Sequence, residues 1–232
     1  MATFALVHGA WHGAWCWERL IPELESLGHR TVAMDLPSDD PEATFEAYAD
    51  VVAKSLEADA GDDVILVGHS MAGPTIPLVP GRYPVRRLVY LCAVAPDPGV
   101  SVAQQLADED VLDRTYMEIR GELVSDGFTR WADAAKARRF MYADCDAPAV
   151  EAAIQRLRPQ AQSPYTVPCP LSEFPDVPST YIGCRDDRLV RPEWSRRVAE
   201  QRLDAEFIEL PGSHSPFLSR ADHLASVLGG LA

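Results

Sequence analysis

The run Val64-Ile-Leu-Val-Gly-His-Ser-Met-Ala-Gly73 decides how the rest of the chain is read. Four branched apolar residues in succession make a strand buried on both faces, the kind found inside a parallel sheet. Gly68, Ser70 and Ala72 then form GxSxA, one methyl away from the GxSxG pattern that holds a serine on a sharp turn from strand to helix. A serine hydroxyl is a weak nucleophile until such a turn presents it to a base, and small neighbours let the backbone make the turn. The helix expected after Ser70 aims its first N–H groups at the place where an oxyanion would form. Ser70 is thus the candidate nucleophile. The pentapeptide also fits a plain strand-turn-helix with an idle serine, so its weight depends on what the rest of the chain supplies.

Outward from this run, strands are expected over residues 3–8, 31–35, 63–68, 88–95, 179–183 and 205–210. Between them apolar residues recur at helical spacing: Trp17, Leu20, Ile21, Leu24 and Leu27, then Phe45, Tyr48, Ala49, Val52 and Leu56, and finally Leu224, Val227, Leu228 and Leu231. Pro192 opens a further helix near Trp194. Alternating strands and helices define an α/β fold with a mainly parallel, doubly wound six-stranded sheet. Pro74, Pro77 and Pro80 fall inside the helix expected after Ser70 and should keep it short and kinked. Residues 100–170 offer no convincing strand, only helical stretches near 102–106, 130–142 and 147–157. An all-helical insertion after the fourth strand lies over the carboxyl ends of the strands, where such sheets bind ligands. We expect a core of residues 1–99 and 171–232 carrying a helical cap of residues 100–170.

The bulk properties narrow the function. At 232 residues, 47% hydrophobic and 24% charged, the chain has the composition of one globular domain. A net charge of -14 repels phosphate backbones and anionic lipids, so nucleic acid and membrane surfaces are poor partners. Five scattered cysteines without a CxxC fit reduced thiols rather than a disulfide framework or a zinc site. The chain opens on a strand pattern and contains no long apolar run, which leads us to expect a cytoplasmic location. Nothing in the sequence favours one oligomeric state.

A nucleophilic serine on such a turn takes its acid and then its histidine from loops after later strands. Cys184-Arg-Asp-Asp-Arg188 follows one of these strands and Gly212-Ser-His-Ser215 follows the next. His214 is the histidine so placed; His223 falls in the last helix and His29 precedes the second strand. Asp186 and Asp187 both remain candidates for the acid, and Asp97, flanked by prolines, is a third. The oxyanion donors expected are the backbone N–H groups of Met71 and, in the loop after the first strand, Ala10. His8 reads as a structural hydrogen-bonding residue. Of the first-loop tryptophans, Trp11 is the one expected to reach a substrate. Phe128, Trp131, Phe140, Met141 and Tyr142 point to an apolar pocket under the cap, with Trp131 as a candidate contact.

Four segments carry a family resemblance: FALVHGAWHGAWCWERL from Phe4, Gly-His-Ser-Met-Ala-Gly from Gly68, Tyr181-Ile-Gly-Cys-Arg-Asp-Asp187, and Gly212-Ser-His214. They resemble the α/β-hydrolase superfamily, and within it the small esterases that group with plant methylesterases and hydroxynitrile lyases. The resemblance implies Ser70 as nucleophile, His214 as base and Asp187 as acid, because relatives place the aspartate six residues after the tyrosine. Ala10 and Met71 match the oxyanion donors. The departures are Ala72 for glycine, the extra Pro80, and one additional residue between Asp187 and Pro192.

These readings converge on a cofactor-free, metal-free serine hydrolase acting on a small carboxylic ester or lactone. A carbon–carbon lyase and a noncatalytic ligand receptor are the alternatives on the same residues. In the hydroxynitrile lyases it resembles, a threonine follows the first-loop histidine and a lysine follows the catalytic histidine. Here Gly9 and Ser215 stand at those positions, and the chain's lysines are Lys54 and Lys136.

Overall fold

The computed structural model describes every residue except 60 and 62. Strand β1 (Thr3–Val7) leads through a 3-10 turn (Ala14–Trp17) to helix α1 (Leu20–Ser26), and then come β2 (Arg30–Met34), α2 (Phe45–Asp59) and β3 (Val64–His69). No α-helix follows Ser70. Two 3-10 turns, Ser70–Ala72 and Ile76–Gly81, occupy its place. The prolines are the cause: Pro77 and Pro80 cannot donate the i to i-4 hydrogen bonds an α-helix needs, so the chain settles into shorter-range turns. Strand β4 (Arg87–Leu91) ends earlier than its apolar run, because Cys92 takes a left-handed φ of 46° and the Val94 N–H turns back to the Ser70 carbonyl.

Residues 100–170 contain α3 (Val102–Asp108), α4 (Arg114–Arg120), α5 (Ala134–Met141), α6 (Ala147–Arg156) and the single turn α7 (Ser163–Thr166). They also contain strands that the sequence reading did not foresee: β5 (Val124–Ser125), β6 (Phe128–Thr129) and β7 (Gln160–Ala161) form a small antiparallel sheet. Two-residue strands are too short to display a period of two. Asp126-Gly127 between β5 and β6, both residues left-handed, is nonetheless a hairpin signature that stood in the sequence. Strand β8 (Ser179–Cys184), α8 (Pro192–Gln201), β9 (Glu206–Leu210), the turn α9 (Pro216–Ser219) and α10 (Ala221–Gly229) complete the chain.

The main sheet has the order β2-β1-β3-β4-β8-β9, and every pairing is parallel. Successive side chains of a strand point to opposite faces, so each strand feeds two cores. Phe4, Leu6, Ile65 and Val67 pack with Leu20 and Leu24 of α1 and Leu224 and Leu228 of α10. Ala5, Val7, Val64 and Leu66 pack with Phe45, Val52 and Leu56 of α2 and Trp194 and Val198 of α8. The chain runs from β1 outward to β2 and then returns past β1 to β3. The loops after β1 and β3 therefore open beside each other at the carboxyl end of the sheet, the point where open α/β sheets bind ligands.

Candidate active site

Val7 and Gly68 are in register, which brings Gly9 and Ser70, each two residues further on, together beyond the ends of the strands. A Cβ built on Gly9 would lie 2.7 Å from the Ser70 Cβ and 2.9 Å from His69 Nδ1, so only glycine fits there. A threonine side chain, as in the lyases, would have to displace Ser70 or His69. Ser70 itself has a φ of 53°, the strained left-handed geometry of a serine held out on an elbow. Ala72 is accommodated within the 3-10 turn. The close approach falls instead at Gly73, where a Cβ would collide with the Val94 carbonyl oxygen.

His214 lies four residues beyond the end of β9, and its ring joins two groups. The Asp187 carboxylate can only accept, so His214 Nδ1–H donates to Asp187 Oδ2 at 2.8 Å. Nε2 is then the acceptor, 3.0 Å from Ser70 Oγ. Both ionisable side chains are almost fully buried, at 2% and 3% exposure. Asp187 Oδ1 is held by the N–H groups of Leu189 at 2.8 Å and Val190 at 3.1 Å. Asp186 points the other way, with its side chain 59% exposed and near Arg185. Asp97 closes a turn whose Val100 N–H returns to its carbonyl. Such a chain of bonds can take the proton from Ser70 Oγ and hold the resulting imidazolium against a carboxylate.

Three further histidines brace this arrangement. His8 Nδ1–H donates to the Gly9 carbonyl, and Nε2 accepts from the Leu36 N–H. His12 Nδ1–H donates to the Ala10 carbonyl, which leaves Nε2 to accept from the Tyr142 hydroxyl at 2.8 Å. His69 Nε2–H donates to the His214 carbonyl. Burial is the largest influence on all three and disfavours the charged ring, lowering His8 to about 4, His12 to about 3 and His69 well below the ordinary imidazole range. Trp11, at a left-handed φ of 65°, is tied to the inserted segment twice: its carbonyl accepts from the Arg158 N–H and its indole N–H donates to Thr129 Oγ1. His12 and His69 had no role in the sequence reading, and Tyr142, expected in the pocket wall, instead anchors His12; the repeated His-Gly-Ala of the first loop was the available signal for His12.

Ser70 opens on a cavity that Ala10, Trp11 and Met71 also line. Among the described residues no hydrogen bond is donated by the N–H of Ala10 or of Met71. The remaining wall is mostly apolar, including Val94, Leu106, Leu112, Leu189 and Val190, with Tyr116, Thr129, Tyr165 and Arg120 as its polar members. Trp131 is not part of the lining. It packs edge-on behind Trp11 at 5.4 Å, and Phe128, Phe140, Met141 and Tyr142 likewise stand back from the cavity.

Cys92, Asp187 and His214 bring potential ligand atoms within 4.8 Å of one another, a grouping worth testing as a metal centre. Its chemistry is unsuited to one. A hydrogen bond with Cys184, and then burial, push the Cys92 thiol well above its ordinary range, whereas metal binding needs a thiolate. The His214 nitrogen nearest Asp187 is already engaged with it.

A family model described as the alpha/beta hydrolase family matches residues 4–227, and the chain belongs to that family. It is 30% identical to norfluorocurarine synthase 2 from Strychnos sp over 97% of this chain and 93% of that protein. Methylesterase 2 from Arabidopsis thaliana is 37% identical over a stretch covering 40% of each chain. The crystal structure of a pyrethroid hydrolase from Sphingobium faniae JZ-2 superposes with a TM-score of 0.82 at 25% identity, covering 99% of this chain and 96% of that one.

Proposed function

We propose that this protein is a cofactor-free serine esterase that cleaves a small carboxylic ester or lactone through an acyl-enzyme on Ser70. The observation that carries the reading is the pair of hydrogen bonds running from Asp187 through His214 to Ser70, ending at a mostly apolar cavity. Membership of a family with esterase relatives supports it. In this mechanism Ser70 Oγ attacks the ester carbonyl while His214 Nε2 takes its proton. Asp187 holds the imidazole tautomer and stabilises the imidazolium, and the N–H groups of Ala10 and Met71 receive the oxyanion. His214 then returns the proton to the leaving alcohol, and water repeats the sequence to release the acid.

Residues 100–170 serve as the cap over the core of residues 1–99 and 171–232. The support is that α3, α4 and α7 supply Leu106, Tyr116 and Tyr165 to the cavity on which Ser70 opens. The five cysteines are free and buried, which fits a reducing compartment such as the cytoplasm. Among the described residues no helix is long and apolar enough to cross a membrane.

A fluorophosphonate probe followed by peptide mass spectrometry tests the assignment. The adduct is expected on Ser70, and Ser70→Ala should abolish both labelling and ester turnover, lowering kcat by a factor on the order of 10⁶. Retention of a tenth of wild-type turnover in that variant would remove Ser70 from the mechanism.

A further inference from the structure

Tyr116 and Arg120 stand one turn apart on α4, so their side chains leave the same face, and both line the cavity that Ser70 shares. Arg120 is half-buried. Although acidic residues outnumber basic ones by 35 to 21 in this chain, none pairs with Arg120 among the described residues, and no hydrogen bond is found for its guanidinium there. One buried hydroxyl on this wall is similarly unengaged. Tyr165 is 8% exposed, and its hydroxyl is buried with no hydrogen-bond partner among the described residues. Burial pushes both phenols up, and the charge of Arg120 acts on each of them in the opposite sense.

A buried hydroxyl without a partner is costly, and a half-buried guanidinium with uncommitted N–H donors on the same mostly apolar wall offers charge and hydrogen bonds to a ligand that would complete both. The ligand group that suits both is a carboxylate, which takes the guanidinium's forked N–H donors and the phenol O–H together. We propose that Arg120 and Tyr165 form a carboxylate-binding subsite, so that the preferred substrates are half-esters, in which a free carboxylate is joined to the scissile ester through an apolar spacer. Leu106, Leu112 and Val190 supply the apolar wall along which the spacer lies. The inference rests on the esterase reading and extends it to a substrate class.

The test compares monomethyl glutarate, adipate and suberate with the methyl esters of straight-chain monoacids of matching length, using the full chain and the variants Arg120→Met, Arg120→Lys and Tyr165→Phe. The wild type should prefer at least one half-ester over its neutral match, chiefly through KM, because the contact is remote from the reacting carbonyl. Arg120→Met should lower kcat/KM for that half-ester about ten- to a hundredfold more than for the neutral ester. Arg120→Lys should recover part of the preference, and Tyr165→Phe should lose a smaller part. Circular dichroism checks that each variant is folded. Turnover of neutral esters with no half-ester preference, or an equal loss on both classes in Arg120→Met, overturns the subsite and leaves the esterase reading standing. If neither class is hydrolysed and the fluorophosphonate leaves Ser70 unlabelled, the esterase reading fails and the subsite falls with it.

Discussion

Replacing Asp187 by asparagine should disable the site through the hydrogen-bond geometry around that side chain. Oδ1 accepts from the N–H groups of Leu189 and Val190, so the amide oxygen of an asparagine must take that position. Its NH₂ then faces His214 Nδ1, now 2.8 Å from the carboxylate. An NH₂ group only donates, so Nδ1 has to become the acceptor and the ring proton moves to Nε2. Nε2 points at Ser70 Oγ and can no longer take its proton. The loss expected from the wrong tautomer is about 10⁴ in kcat, or about 5.4 kcal/mol of transition-state stabilisation. Asp186→Asn is the control. Its carboxylate is solvated, and the bond it accepts from the Gly212 N–H is one an asparagine oxygen also accepts, so the change should stay within about threefold. Steady-state hydrolysis of an aryl acetate by both variants, with nitrogen NMR of the His214 ring to read the tautomer, makes the comparison. Asp187→Asn within tenfold of wild type, or Asp186→Asn equally damaged, would refute the assignment of the acid.

The buried histidines make stability depend on pH with a definite sign. Unfolded imidazoles protonate near 6.5, whereas His8 and His12 hold out to about 4 and about 3, and His69 is also shifted well down. Their contribution is complete above about 6.5 and is lost as pH falls toward the folded values, at up to about 1.4 kcal/mol per pH unit for each ring. Urea denaturation between pH 4 and pH 6.5, read against about that slope, should find His12→Asn less stable at neutral pH and less sensitive to acid; an unchanged slope would remove His12 from this account. Offered mandelonitrile and phenyl acetate together, the protein should hydrolyse the ester and leave the cyanohydrin at its spontaneous rate. Ser215 carries no charge and Lys136 is paired with Glu122 away from the cavity, so neither places an ammonium beside departing cyanide. Aldehyde release that outpaces ester hydrolysis, with no acyl-enzyme on Ser70, would install the lyase reading instead.

Much of the fold was legible in the sequence because its central strands are short apolar runs bounded by turn residues, a signal that survives without tertiary information. The elbow at Ser70 and the loop at His214 were legible for a related reason: chain order alone sets them on loops at the carboxyl end of the sheet. Four matters were decided only by the folded chain. Asp186 and Asp187 are adjacent and chemically identical, and they differ in that one is buried under the Leu189 and Val190 amides while the other faces solvent. The helix expected after Ser70 gave way to 3-10 turns once its prolines met the close packing of Gly73 against Val94. The strands within residues 100–170 are too short to carry a period, and pairing across the segment is what forms them. Finally, the cap aromatics expected around the pocket, Phe128, Trp131, Phe140 and Tyr142, stand behind it, while its wall includes Leu106, Leu112, Tyr116, Arg120 and Tyr165. No local pattern marks those five as neighbours of Ser70, because a cavity is a property of how separate segments meet, and only packing brings them together.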